Sequence, residues 1–233
     1  MAIDEVPSLD VALLRTLPGR IFFYPSAGSD WMEPLTQFIE GMDEFRFIDI
    51  RYQFKNARPI PLGGWDLLED SAVLLGPAVS RGHILQDGKG CEFRHIEPAW
   101  LSHAYRNPRD GRQVLVTRRR GFGQYALHEL PDSSVGVFWH RGDSAGEGGS
   151  NVWYLANRPR RHPPLSNLFE VIKRKLAYPA LIASDGSNTR FSELKASSRQ
   201  NLEVPMKFIK LGLSWQRIAC LGRNTVLWMV EPH

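Results

Sequence analysis

The stretch from Ile21 to Trp31 constrains the fold of this chain more than any other feature. Its sequence is IFFYPSAGSDW, an apolar run that stops abruptly at small and polar residues. An amphipathic segment follows, and a second apolar run then ends in an acid at Asp49. In open α/β sheets, a buried strand delivers such a turn to a helix N-terminus, and the next strand ends in a carboxylate that holds a ribose. The pattern therefore predicts an α/β protein with a nucleotide-type site at its strand ends.

Short apolar runs separated by helical patterns predict a central, mainly parallel sheet with helices on both faces. The expected strands are residues 20–24, 45–50, 134–139 and 180–183, and the expected helices include 31–40 and 165–176. Residues 113–117 and 125–130 are strand candidates whose spacing suits a hairpin. Residues 215–221 and 225–230 flank a Gly-Arg-Asn turn and predict a C-terminal antiparallel hairpin.

Length and composition favour one ordinary globular domain. The 233 residues include 42% apolar and 23% charged side chains, and no clean linker divides them. We expect a single domain over 1–233 with an irregular, Pro- and Gly-rich insertion at about 51–110. No apolar run approaches the ~18–20 residues of a membrane span, and no secretory signal opens the sequence. Cys91 and Cys220 form no C-x-x-C pair. A cytoplasmic protein without a membrane partner or a bound metal is the expectation.

The first candidate site is the turn after the first strand, together with Asp49. Backbone N–H groups in such a turn can form a concave site for an anion or for the charged end of a cofactor. A carboxylate can accept hydrogen bonds from both hydroxyls of one ribose. The alternative is a tight strand-to-helix turn in which Asp30 caps the helix. The predicted cofactor-binding residues of this turn are Ser26, Ala27, Gly28, Ser29 and Asp30.

The second candidate site is the glycine-rich loop over residues 141–151. Its glycines let backbone approach a ligand closely, and Asp143 and Glu147 are the candidate catalytic acid–base residues. The alternative is a flexible surface loop. Asp185 follows another predicted central strand and is expected to face the same crevice as a cofactor-binding residue, although a type I turn would explain its neighbours equally well.

Basic clusters at 118–120, 158–162 and 173–175 lie near aromatic residues, a combination that suits stacked nucleotides. Solvated surface is the commoner meaning of such clusters, so nucleic acid stays a weaker candidate partner than a small nucleotide.

The order of predicted elements resembles the class I S-adenosylmethionine-dependent methyltransferases. Tyr24-Pro25-Ser26-Ala27-Gly28-Ser29-Asp30 corresponds to the family's glycine-rich loop, although only Gly28 is glycine. Asp49 matches the family's ribose-binding acid. The family's Asn/Asp-Pro-Pro-Tyr signature is absent, and Gly142-Asp143-Ser144 and Gly146-Glu147-Gly148-Gly149 stand in its place. The resemblance implies a three-layer Rossmann-like fold, with S-adenosylmethionine as the cofactor.

Two functions follow. The first is a methyltransferase-like protein that binds S-adenosylmethionine or a related nucleotide and aligns it with an acceptor. The second is a non-catalytic protein of the same fold that binds a protein partner, as an inhibitor or immunity protein does. The degenerate motifs favour the second function, and the aligned Gly28 and Asp49 favour the first.

Overall fold

The computed structural model describes residues 9–25, 27–49, 52–54, 59–68, 72–75, 81–87, 90–96, 99–121, 123–141, 168–185, 212–221 and 225–233. Its helices are α1 (Val11–Thr16), α2 (Met32–Phe38), α3 (Gly123–Glu129) and α4 (Leu168–Lys175). Its first strands are β1 (Ile21–Pro25), β2 (Glu44–Asp49), β3 (Asp66–Leu67), β4 (Ala72–Leu75), β5 (Arg81–Asp87) and β6 (Gly90–Ile96). The others are β7 (Ala99–Arg106), β8 (Gln113–Arg120), β9 (Val135–Arg141), β10 (Leu176–Asp185), β11 (Leu213–Leu221) and β12 (Thr225–Pro232).

One large mixed sheet dominates the described part of the chain. Its strand order is β11-β12-β10-β9-β1-β2-β8-β7-β3, and β4 also pairs with β7. The five adjacent strands from β10 to β8 run parallel to one another. The flanking strands β7, β3, β4, β12 and β11 all pair antiparallel. Strands β5 and β6 form a separate antiparallel hairpin.

The predicted three-layer Rossmann-like fold with a mainly parallel sheet is therefore wrong. Within the described sheet, five strand pairings are antiparallel and four are parallel, and the four described helices are only six to eight residues long. The physical reason is that antiparallel strands lie on both sides of the parallel centre, where the prediction required further parallel strands connected by helices. In β7, buried residues alternate with partly exposed ones, as expected of an antiparallel strand buried on one face.

The predictions of individual strands were more accurate than the predicted fold class. All four predicted central strands are present, with ends shifted by a few residues, and β11 and β12 form the antiparallel C-terminal pair. The segment expected to be an irregular insertion, 51–110, contains strands β3 to β7. Residues 125–130 were expected to form a strand, but they lie almost entirely in helix α3.

Strand β1 lies in the middle of the described sheet. All of its residues are buried, and successive side chains belong to different apolar clusters, so each face of the strand lies in a core. Phe22 and Tyr24 pack with side chains of α1 and α2. Ile21 and Phe23 pack with side chains of α3 and α4. A strand that is apolar throughout is the form that such burial requires.

Two glycines bring the backbones of β1 and β9 into close contact at the start of these strands. A Cβ atom on Gly136 would lie 2.1 Å from the carbonyl oxygen of Gly19, and one on Gly19 would lie 2.4 Å from the amide nitrogen of Gly136. Both distances are far below normal contact, so this junction requires glycine at both positions.

Candidate functional site

The parallel strands end together along one side of the sheet, which we call the carboxyl-terminal edge. It is formed by Pro25 of β1, Asp49 of β2, Arg120 of β8, Arg141 of β9 and Asp185 of β10. Asp49 is in register with Arg120, and Asp185 is in register with Arg141. The carboxyl ends of parallel strands are where open α/β sheets most often bind ligands.

The turn from Ala27 to Asp30, which we call the β1–α2 turn, is hydrogen-bonded to the end of β2. The Ala27 amide donates to the carbonyl oxygen of Ile48 at 2.9 Å, and the Gly28 amide donates to the Asp49 carboxylate at 2.8 Å. Gly28 has a φ of +55°, in the left-handed region that glycine adopts without steric cost. The structure thus brings together Gly28 and Asp49, the two residues on which the predicted site depends most.

Asp49 is only 8% exposed. One of its carboxylate oxygens accepts the Gly28 amide hydrogen bond, so the side chain holds the β1–α2 turn in place. The sequence predicted a ribose contact for Asp49 but gave no sign of this second role. The hydrogen bond is a charge-assisted contact of a kind that is roughly twice as strong as a neutral one.

The rest of the turn differs from the prediction in one respect. Asp30 was the expected cap of α2, but Trp31 occupies the N-cap position, and no side-chain cap bond forms. The Asp30 amide donates to the Ala27 carbonyl at 3.1 Å, and the Ser29 hydroxyl donates to the Asp30 carboxylate at 3.0 Å. Both hydrogen bonds join residues of the turn to one another.

Several predicted site residues fall outside what the structure describes. Ser26, Asp143 and Glu147 lie outside the described residues, as does the loop after Arg141. The backbone of Asp185 is described and ends β10 at the carboxyl-terminal edge. The start of the predicted loop and Asp185 therefore lie at the same edge of the sheet as Gly28.

Sequence reasoning missed an arginine that lies near two aromatic rings beside this turn. The Arg118 guanidinium lies 4.7 Å from the ring centroid of Trp31 and 6.0 Å from that of Phe54. Arg118 is in register with Phe47 of β2, whose ring packs 5.6 Å from that of Trp31. The sequence marked 118–120 as a basic cluster, but it could not reveal that the aromatic partners come from distant segments.

The three consecutive arginines have different environments because strand residues alternate between faces. Arg119 lies on the opposite face from Arg118, where it forms an ion pair with Glu129 of α3. Arg118 forms no hydrogen bond or ion pair with any residue that the structure describes, and its Nε is buried without a partner there.

The groups around Arg118 are shifted toward their neutral forms. Burial lowers the pKa of the Arg118 guanidinium, although an arginine stays charged at neutral pH. Burial, and then the nearby Arg118 charge, lowers the pKa of His103, which is 2% exposed. Burial also raises the pKa of Tyr105, whose hydroxyl donates to the Ile60 carbonyl at 2.9 Å. Arg118 is thus the fixed positive charge of this cluster.

Over the described ranges, no group of three or more His, Cys, Asp or Glu residues is arranged to hold a metal ion. Among the same residues, no helix is long and apolar enough to cross a membrane.

Comparison with known proteins gives no relative: no family model, no curated protein and no solved structure matches this chain.

Proposed function

We propose that this protein binds an adenosine-containing small molecule at the carboxyl-terminal edge, beside the β1–α2 turn, with S-adenosylmethionine as the first candidate. The observation that carries the proposal is the position of this turn between the ends of β1 and β2, next to the end of β9. From β1 the chain passes through α2 to β2 on one side, and from β9 it passes through α4 to β10 on the other. Strand ends at which successive connections diverge form the usual ligand crevice.

The residues of the turn suit such a ligand. Gly28 lacks a side chain at the point where the turn meets Asp49, so a ligand could approach the backbone closely. A carboxylate has two oxygens and can accept several hydrogen bonds, so Asp49 can hold the Gly28 amide and also accept a ribose hydroxyl. Ser29 and Asp30 are the exposed residues of the turn, on which the charged end of the cofactor would rest, whereas the Ala27 side chain is fully buried and can support only the backbone of the turn.

Methyl transfer is the reaction that fits this ligand, and the protein would contribute mainly by aligning donor and acceptor. Asp143 and Glu147 stay the predicted acid–base residues of that reaction. Asp185 stays a predicted ligand contact.

A second candidate function is binding of a protein partner without catalysis. The observation that favours it is the low exposure of Asp49, whose carboxylate already stabilises the turn. In that case the turn is a structural feature, and the former ligand site has no ligand.

Calorimetry of the purified chain with S-adenosylmethionine, S-adenosylhomocysteine and common nucleotides tests the proposal. We expect saturable binding of at least one adenosine-containing compound. Asp49→Ala should weaken that binding by about 1–3 kcal/mol, the value of a charged hydrogen bond. Absence of heat across the whole panel would reject the ligand proposal and favour the partner-binding function.

Asp43→Ala is the matched control. Asp43 precedes β2 at the opposite edge of the sheet, where it pairs with Arg20 and Arg112. Its loss should lower stability but leave ligand affinity unchanged. Equal losses of affinity in both variants would mean that Asp49 acts only through the fold.

A further inference from the structure

Among the charged groups that the structure describes, Arg118 has the surroundings that folding alone explains least. Arg118 is partly buried and its Nε is shielded from solvent, and a charge in such a place is normally paired with an opposite charge and hydrogen-bonded. A second guanidinium that stacks on a ring among the described residues, Arg112 over Trp65, also donates to the carbonyl oxygens of Met42 and Ile39 and contacts Asp43. Arg118 has its aromatic neighbours and no such acceptor among the described residues.

The aromatic neighbours stabilise the cation without using its hydrogen-bonding capacity. Rings attract a guanidinium through the faces of their π systems, and this attraction grows when the site is shielded from water. The five N–H donors of arginine lie in the guanidinium plane and match the oxygens of a carboxylate or a phosphate. Arg118 is therefore held by Trp31 and Phe54 in a form suited to accept an anionic ligand.

The segment that supplies Phe54 to this cluster contains no acid that could replace the ligand. From residue 50 to residue 65, the segment that carries Tyr52 and Phe54, there is no Asp or Glu, whereas Arg51, Lys55 and Arg58 are basic. His103 adds no negative charge, and its lowered pKa keeps it largely neutral at pH 7. The local composition therefore favours a negatively charged group on the part of the ligand that lies beside Arg118.

The position of Arg118 relates it to the proposed ligand site. Arg118 lies two residues before the end of β8, and Trp31 directly follows the β1–α2 turn. A ligand beside Gly28 and Asp49 would thus lie next to the Arg118–Trp31 pair. We propose that Arg118 binds an oxyanion, a phosphate or a carboxylate, and that the ligand of the carboxyl-terminal edge carries this group. The adenosine part of that ligand rests on the proposed function, whereas the oxyanion site rests on Arg118 alone.

The test is calorimetry of the full chain with matched ligand pairs. Adenosine 5′-monophosphate against adenosine measures the contribution of a phosphate. S-adenosylhomocysteine against methylthioadenosine, which lacks the amino-acid end, measures that of a zwitterionic amino-acid group, whose oxyanion is a carboxylate. In one pair, the member that carries the oxyanion should bind at least about tenfold more tightly, as expected for a hydrogen bond between charged groups. The pair that shows the difference identifies the source of the oxyanion.

Variants on the same strand assign the effect to Arg118. Arg118→Gln should abolish the difference within the pair and leave the affinity of the uncharged member unchanged. Arg119→Gln is the matched control, because it removes the same charge one residue away on the opposite face of the sheet. Arg119→Gln should retain the full difference. Arg118→Lys, which keeps the charge but loses the planar donors, should retain part of it.

Inorganic pyrophosphate separates this inference from the proposed function. It should bind the parent protein and the Arg119→Gln variant even if no adenosine compound binds at all. If Arg118→Gln does not fold, quenching of tryptophan fluorescence by pyrophosphate in the parent provides the second measurement, because Trp31 contacts the guanidinium. Equal affinities within both ligand pairs, together with no response to pyrophosphate, would overturn the oxyanion site. Retention of the difference in Arg118→Gln would also overturn it.

Discussion

The contact between Gly28 and Asp49 shows how one pair of residues links the backbone of the turn to the sheet. The Gly28 amide points at the Asp49 carboxylate because the chain turns through a positive φ at this glycine. Only glycine, and to a lesser extent Asn or Asp, adopts that conformation readily. Residue identity therefore determines the shape of the turn before any ligand is present.

Gly28→Asn and Gly28→Val should differ in stability for this reason. Asn tolerates the left-handed conformation, whereas the β-branched valine does not, so we expect Val to cost about 1–2 kcal/mol more than Asn. Urea denaturation of both variants measures the difference. Identical midpoints would show that the turn changes conformation to accept either side chain.

The contact between Gly19 and Gly136 makes the junction of β1 and β9 sensitive to a single methyl group. Gly136→Ala places a Cβ atom against the Gly19 carbonyl, and overpacking of this kind costs about 1–3 kcal/mol or more. Gly63→Ala is the control, because no atom beyond its two chain neighbours lies within 4 Å of the added carbon and the φ of Gly63 is not in the positive region. A thermal melt in which the two variants behave alike would contradict the close contact.

His103 should make the fold sensitive to acid. Its pKa is lowered in the native state by burial and by Arg118, from an ordinary value of 6.5. The unfolded chain therefore binds a proton more readily than the native one, and stability falls as the pH drops below about 6.5. His128 acts in the same direction. In urea unfolding between pH 7.5 and pH 5, His103→Gln should show a shallower loss of stability than the parent, and identical slopes would exclude the effect.

At the scale of elements, helix α3 is a segment that the sequence pattern assigned to the wrong type of secondary structure. Residues 125–130 were expected to be a strand because a strand-like run, 113–117, precedes them. The buried residues Ala126, Leu127 and Leu130 instead follow helical spacing and pack in the cluster that also holds α4. Strand β8 pairs with β7, which precedes it, and not with the segment that follows it. The helical spacing was visible in the sequence, but the competing partner was not.

Leu127 provides a direct test of the helix. Its side chain is fully buried, so Leu127→Ala should cost about 2–5 kcal/mol by loss of burial and formation of a cavity. Leu115→Ala in β8 is the comparison, because Leu115 is 40% exposed and its truncation should cost far less. Denaturation midpoints that shift equally would mean that α3 does not cover the core.

At the scale of the whole molecule, the sequence predicted the parallel centre of the sheet better than its flanks. Strand β1 is apolar throughout and β10 is mostly apolar, and such runs are easily recognised in a sequence. Some flanking strands alternate between buried and more exposed residues, and others are short. Their pairing depends on contacts with distant segments, which no local sequence pattern encodes. In the same way, Gly28 and Asp49 were found because they follow strands, whereas Arg118 depends on rings brought from residues 31 and 54.

The pairing of β1 also determines the order in which the sheet can assemble during synthesis. One side of β1 pairs with β2, which is translated soon after it, but the other side pairs with β9 at residues 135–141. More than a hundred residues must therefore be synthesised before that side of an entirely apolar strand finds its partner. Until then, the unpaired edge is a site for misassociation with other chains, and a chaperone that binds extended apolar segments would be expected to protect it. Nascent chains arrested before residue 135 should thus remain sensitive to protease within β1, and chains extended well beyond residue 141 should become resistant.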